Sequence, residues 1–220
     1  MANLLKAQPA LQTNYTYSDI SAGKSYETFY VSNAGNATTS EAVLLNVATF
    51  SDIVWDKVVT AAGASTLLIS RDADLTFSLP KTIDGELVAN IPFIMAEGIG
   101  APRGFMSCAV VLKKVTGGVE TVLVTGNTST FDEQLDASEM HGVMKELKMT
   151  VPRTTFGGND TFRMTIDVYG YGNTSEDTWI GIGVDPSNRT VPADEYPAGN
   201  VDTSLNTKFT VLIPFRIEAI

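Results

Sequence analysis

Histidine and cysteine are almost missing from this sequence: 220 residues contain only Cys108 and His141. One cysteine rules out an intrachain disulfide, so the fold must be held by buried area. One histidine and one cysteine rule out a zinc centre built from several such ligands. Cys108 lies in the apolar run Met106–Leu112, where a thiol acts as a small buried hydrophobe rather than a nucleophile. Basic clusters are missing too. There are 15 Lys and Arg against 25 Asp and Glu, a net charge of −10, which repels a phosphate backbone. No apolar run approaches the roughly 20 residues a membrane helix needs. Neither nucleic acid nor membrane is therefore an expected partner. The start, MANLLKAQPALQTNYTYSD, does not read as a secretory signal, because Lys6 follows the leucines and Pro9 interrupts the stretch. Assembly in the cytoplasm is expected. The Asn-x-Ser/Thr triplets at Asn14, Asn36, Asn127, Asn159, Asn173 and Asn188 then read as loop composition rather than glycan sites.

Catalytic motifs are scarce as well. No Gly-x-Ser-x-Gly elbow occurs. Gly98-x-Gly100 begins like a dinucleotide loop, but Arg103 occupies the third glycine position and Pro102 precedes it. Carboxylates pair at Asp132-Glu133, Glu176-Asp177 and Asp194-Glu195, with Asp72 and Asp74 one residue apart. Paired acids can hydrolyse glycosides, yet acids adjacent in loops and first helical turns are usually solvated charge. No Asp-x-Asp-x-Asp-Gly calcium ladder is present. These absences predict a protein that is not an enzyme and holds no cofactor or metal.

What the sequence does have is period-two alternation. In Asn206–Ala219, the apolar residues Phe209, Val211, Ile213, Phe215 and Ile217 fall on every second position. Successive strand side chains point to opposite faces, so this is a half-buried strand. It is expected to pair with segments far back in the chain. Thr161–Tyr169 alternates as cleanly, with Phe162, Met164, Ile166 and Val168 inward. Further strands are predicted at Ser25–Val31, Ala42–Phe50, Ile53–Thr60, Thr66–Ser70, Asp74–Leu79, Glu86–Ala96, Phe105–Val115, Val119–Thr125, Lys145–Val151 and Thr178–Val184. Asp84-Gly85 is a turn dipeptide. Pro92 inside the Glu86–Ala96 run argues for an edge or a bulge. Arg153–Asp160 reads as a loop. One helix is predicted within Asn127–Gly142, about residues 130–141: Thr130 and Glu133 match a capping box, Phe131 and Leu135 share a face, and Gly142 can end it. His141 would then sit at the helix C-terminus. The sum is an all-β chain: an antiparallel β-sandwich or jelly roll with one short helix, occupying residues 25–220 as one unit.

Residues 1–24 read as an arm, short of periodic hydrophobics. Asp185–Leu205 is a long polar excursion with Pro186, Pro192 and Pro197. Leu4, Leu5, Tyr15 and Tyr17 in the arm, with Trp179 and Tyr196, are the expected interface residues. The loops SNAGNATTS and FGGNDT, the terminal KFTVLIPFRIEAI and the N-terminus give a chain that resembles bacteriophage virion structural proteins: jelly-roll capsid proteins and the decoration or cement proteins of icosahedral shells. The resemblance implies a homo-oligomer, commonly a trimer, bound to itself and to a major capsid or other virion protein, located in the virion. An alternative is a carbohydrate- or receptor-binding β-sandwich of a phage fibre or baseplate, with an exposed aromatic platform around Trp179 or Tyr196. A subunit of a non-viral filament is a third reading.

Overall fold

The computed structural model describes residues 23–33, 41–48, 54–59, 64–97, 103–134, 140–172, 178–189 and 205–217. They form twelve strands: β1 Lys24–Asn33, β2 Glu41–Leu45, β3 Val54–Val59, β4 Thr66–Thr76, β5 Lys81–Glu97, β6 Arg103–Thr116, β7 Val119–Asn127, β8 Phe131–Gln134, β9 Met140–Phe156, β10 Thr161–Gly172, β11 Thr178–Gly183 and β12 Thr210–Arg216. All are hydrogen-bonded in the order β3-β11-β5-β12-β1-β2-β4-β10-β6-β7, with β9 added to β5 and β8 to β6. The fold is all-β and of the β-sandwich, jelly-roll-like kind. Every pairing is antiparallel except β2 with β4, which is parallel over Glu41–Val43.

The sheet doubles over on itself around one core. β10 buries Phe162, Met164, Ile166 and Val168, and β6 buries Met106, Cys108, Val110 and Leu112. These pack in the same cluster as Leu87, Ala89, Ile91 and Phe93 of β5 and Val211, Ile213 and Phe215 of β12. The strict alternation along β10 is what puts one face in the core and leaves the other to solvent. β7, at the end of the strand order, lies against β9. A side chain at Gly126 would meet the Met149 side chain at 2.7 Å and that of Leu147 at 3.2 Å, so those side chains would have to shift to admit it.

The terminal strand pairs far back, as the alternation predicts. β12 lies between β1, with Lys24 opposite Arg216, and β5, with Val211 opposite Ala89. Four readings need correction. The stretch read as a helix holds strand β8, paired with β6, and the start of β9; residues 135–139 lie outside the described residues. Phe131 is buried in the main core, so tertiary packing overrides the local capping signal. His141 is consequently a strand residue of β9. Asp84-Gly85 does not turn the chain. β5 runs through it, with a register shift between Ile83 and Gly85. Gly85 has φ 132°, and a bulge uses glycine's freedom as readily as a turn does. Thr66–Ser70 and Asp74–Leu79 belong to one strand up to Thr76. Arg153–Phe156 belongs to β9, and only the four residues Gly157–Asp160 make the turn. Pro92 sits inside β5 where the neighbour on one side changes from β12, paired up to Asn90, to β11, paired from Phe93. A missing N–H falls there at a seam between ladders.

Candidate binding face

The outer face of β4, β10 and β6, bordered by β7 and β8, is the most organised polar surface among the described residues. β10 presents Thr161, Arg163, Thr165, Asp167, Tyr169 and Tyr171 to this face, because its even-numbered residues are in the core. Register sets their neighbours. Arg163 lies opposite Asp74 on β4 and Lys113 on β6, and Thr165 opposite Asp72 and Val111. The Arg163 Nε and Nη2 donate to the two Asp74 oxygens at 2.8 and 2.7 Å. Its Nη1 donates to Glu120 of β7 at 2.6 Å and lies 3.4 Å from Asp72. Lys113 Nζ donates to the other Glu120 oxygen at 2.9 Å. Thr165 donates to Asp72, Ser70 donates to Asp167 at 2.6 Å, and the Thr76 and Thr161 hydroxyls meet at 2.9 Å. The Arg163 guanidinium is held still further above its usual range, first by its hydrogen bonds to Asp74. The Glu120 carboxyl is held lower, first by Lys113 and then by Arg163. Asp72 and Asp74, one residue apart in sequence, thus bracket one arginine and tie three strands together.

The other end of the same face is aromatic. Tyr171 lies opposite Phe105, and Tyr169 opposite Ser107 on β6 and Leu67 on β4. Phe105 and Tyr171 stack with ring centroids 4.4 Å apart and planes 10° off parallel. The Arg103 guanidinium lies over Phe105, 5.2 Å from its centroid. Arg103 is in turn held by a two-pronged pair with Asp132 of β8, both contacts 2.6 Å. Leu67 beside Tyr169 is 52% exposed. The face is therefore half ion-pair lattice and half fixed, partly exposed rings.

A further carboxylate anchors the turn between β9 and β10. Asp160 accepts from Gly157 N at 2.7 Å and Thr116 Oγ1 at 2.8 Å, and Lys114 Nζ lies 2.9 Å away. Lys114 first, then the Gly157 amide and the Thr116 hydroxyl, lower its pKa to about 2 from the ordinary 3.8. A carboxyl whose folded value is depressed stabilises the fold above its unfolded value, and that contribution is lost as pH falls through the folded value. Acid unfolding is thus expected to draw on Asp160 between about pH 4 and pH 2. In urea titrations, Asp160→Asn should fall short of the wild type at pH 5, with the gap closing by pH 2. A constant gap across that window would remove Asp160 from the acid response.

The residues singled out by sequence fall in different places. Trp179, on β11, is half-buried against a small cluster of Ile94, Ala96, Met140 and Leu205. Leu4, Leu5, Tyr15, Tyr17 and Tyr196 lie outside the described residues, as do Gly98, Gly100, Pro102 and the Glu176-Asp177 and Asp194-Glu195 pairs. His141 Nδ1 lies 3.3 Å from Glu133. Burial pushes the Cys108 thiol up to about 12, with Asp167 adding to the shift, so it is a core residue. Among the described residues, no group of three or more His, Cys, Asp or Glu is placed to hold a metal ion. Arg163, Phe105 and Tyr171 are the site residues that the sequence reading passed over. Their signal was present in the outward set of the best strand, but the partners that give it meaning come from β4, β6 and β7.

No family model matches the sequence, and no curated protein matches it. Solved structures are similar over most of this chain. A CocE/NonD family hydrolase from Staphylococcus aureus is 12% identical with a TM-score of 0.43, covering 88% of this chain and 37% of that one. An aminopeptidase from a Thaumarchaeota archaeon is 11% identical with a TM-score of 0.49, covering 88% and 37%. The infectious bursal disease virus VP2 subviral particle is 10% identical with a TM-score of 0.35, covering 89% and 38%. The chain spans a little over a third of the length of each. Viral capsid proteins are therefore among its structural neighbours, and nothing in these likenesses singles out bacteriophages. The expectation that the chain is not an enzyme is corrected here: hydrolases stand among the same neighbours. An all-β fold without a catalytic motif does not separate this chain from them. At such low identity and TM-score no activity is carried over.

Proposed function

We propose that this chain is a structural subunit of a virion, most simply of a bacteriophage, that forms or decorates an icosahedral shell as a homo-oligomer, with a trimer as the expected unit. Its partners in this reading are other copies of itself and a major capsid protein, and assembly takes place in the host cytoplasm. The supporting observation is the anchoring of the first strand. The C-terminal strand β12 clamps β1 from Lys24 to Tyr30, and Ile217 N donates to Gly23 O at 2.6 Å. Gly23 has φ 65°, a left-handed conformation that redirects the chain where it enters β1. A segment preceding such a fixed point can reach a neighbour without loosening its own fold. An arm of this kind can add a strand to an exposed sheet edge and satisfy the unpaired backbone groups there. Leu4, Leu5, Tyr15 and Tyr17 would supply its contacts, with Trp179 and Tyr196 on the receiving body.

Deleting residues 1–22 leaves Gly23 and β1 intact. The shortened protein is expected to keep the wild-type circular dichroism and melting temperature while its native mass by light scattering falls to that of a monomer. Particles or rings in negative-stain images should disappear with it. An unchanged mass and unchanged images would sink the arm as the assembly device.

A further inference from the structure

We propose that the outer edge of β7 receives the N-terminal arm of a neighbouring copy, and that residues 11–18 of that arm add to it as a strand. This inference rests on the arm of the virion reading and names the surface the arm meets. Among the described residues, β7 pairs with β6 alone and ends the strand order. The backbone N–H and C=O groups along its other edge therefore have no ladder.

Sheet edges are normally guarded by charge, by proline or by brevity. The other edges of this sheet are. β9, which pairs with β5, carries Lys145, Lys148, Pro152 and Arg153. β3 has Asp56 and Lys57 at its centre, and β8 is four residues long. β7 has no lysine, arginine or proline. Its one charge, Glu120, is neutralised within the subunit, where Lys113 Nζ and Arg163 Nη1 donate to its two oxygens at 2.9 and 2.6 Å. A register shift opposite Leu112 and Lys113 is the one irregularity of its pairing. Val119 and Val122 are 68% and 59% exposed. Three residues apart on a period of two, they lie on opposite faces, so an added strand covers one of them whichever way it faces.

Three features point to the arm as the occupant. Its sequence alternates over the right length: Leu11, Thr13, Tyr15 and Tyr17 interleave with Gln12, Asn14, Thr16 and Ser18, and Thr and Tyr favour a pleated surface. Its charge suits the edge. Residues 7–18 contain no charged side chain, whereas two whole copies at −10 each repel. Its tether is short. Only residues 19–22 separate Ser18 from Gly23, whose carbonyl is held by Ile217 N, and such a link spans about 15 Å when extended. The neighbour's β7 then lies beside the entry to β1, where Ile217 is 53% exposed. One contact thus covers the exposed valines of one copy and the exposed isoleucine of the next. It is also heterologous, arm to edge, and such contacts close into rings, which suits a trimer better than a symmetric pair.

The test is cross-linking of the full chain. Cys108 is 1% exposed, so introduced cysteines carry the reaction. Thr16→Cys is co-expressed with Thr121→Cys of β7, and in the control with Lys148→Cys of β9. A short bis-maleimide should give at least about tenfold more covalent Thr16→Cys/Thr121→Cys dimer than control dimer, because docking holds the two thiols at high effective concentration. A yield no higher than the control would overturn the proposal. So would a chain carrying both cysteines that cross-links only within itself. Stronger linking of Thr121→Cys to its own kind would overturn it in favour of symmetric edge pairing. Independently, Val122→Lys guards the edge at an exposed position. It should lower the native mass to that of a monomer and leave the melting temperature unchanged; an unchanged mass would count against the site. If deleting residues 1–22 lowers the mass while β7 responds to neither experiment, the arm stands and its docking on β7 falls. If the deletion leaves the mass unchanged, both fall.

Discussion

Replacing Asp185 by alanine is expected to cost about 3 kcal/mol or more of folding stability. Asp185 follows β11 and is 0% exposed. Its Oδ1 accepts from Ser187 N at 3.0 Å, and its Oδ2 accepts from both Arg189 N and Arg189 Nε at 2.8 Å. Its own N–H donates to Thr207 O, and its carbonyl accepts from Asn188 N, both at 2.9 Å. Asn188 adopts φ 53°, and its Oδ1 accepts from Thr207 N at 2.9 Å. The segment 185–189 thus forms a knot that fastens the end of β11 to the entry of β12. Gly183 completes it, since a side chain there would collide with the Thr207 backbone. Alanine at 185 takes away the acceptor of the Ser187 and Arg189 amides and of the Arg189 guanidinium, and leaves a cavity where the buried carboxylate stood. A donor that loses its acceptor costs its desolvation to the extent that water cannot reach it, and the cavity at the fully buried position 185 adds to the loss. For a domain of this size each kcal/mol lowers the melting temperature by about 2–4 °C, so a drop of about 6–12 °C is expected in a thermal melt. Asp185→Asn keeps one acceptor oxygen and should fall between the two. A melting temperature within a degree or two of the wild type would show that the knot does not hold β12 in place.

That knot shows what sequence reasoning can and cannot reach. Asp185 stood at the head of a polar, proline-rich stretch and looked like the start of a loop. Its role depends on Thr207, more than twenty residues away, and no local pattern records that. The strands were legible where burial is one-sided, because alternation is then written into every second residue. β10 and β12 are the clearest cases. They were less legible where one signal serves two geometries. Asp84-Gly85 suits a turn, but the flanking residues pair with β9 on both sides of it, and the glycine became a bulge. Thr130 and Glu133 suit a helix cap, but Asp132 between them was needed by Arg103 on the neighbouring strand. The candidate face was half legible: Thr161, Arg163, Thr165, Asp167, Tyr169 read as the solvent side of a strand. That Arg163 would gather three acids from two other strands, or that Tyr171 would stack on Phe105, follows from register, and register is a property of the pairing rather than of either strand alone.

The same reasoning gives the largest effect expected in the core. Phe156→Ala should destabilise the protein by about 3–5 kcal/mol. The local sequence places Phe156 in a loop, yet it is the last residue of β9 and is fully buried. Its ring packs 5.1 Å from Phe77 and 6.1 Å from Phe162. Phe77 continues to Phe215 at 6.0 Å, and Phe215 to Phe29 at 6.2 Å. The chain of rings therefore joins β10, β9, the end of β4, β12 and β1, drawing on both layers of the sandwich. Lys114 Nζ, which also binds Asp160, lies 5.5 Å over the Phe156 ring. Truncation to alanine removes the transfer energy of the ring and leaves a cavity between two rigid strands that cannot collapse to fill it. Phe156→Leu keeps most of the volume and should cost only about 1 kcal/mol. A double-mutant cycle with Phe77→Leu should return a coupling of about 0.5–1.5 kcal/mol, the value of an aromatic pair beyond its buried area. Chemical denaturation measures all three. If Phe156→Ala and Phe156→Leu lost the same small amount, the residue would have the solvated loop environment that its Gly- and Asn-rich neighbourhood suggests, and the end of the sandwich would have to be closed by something other than these rings.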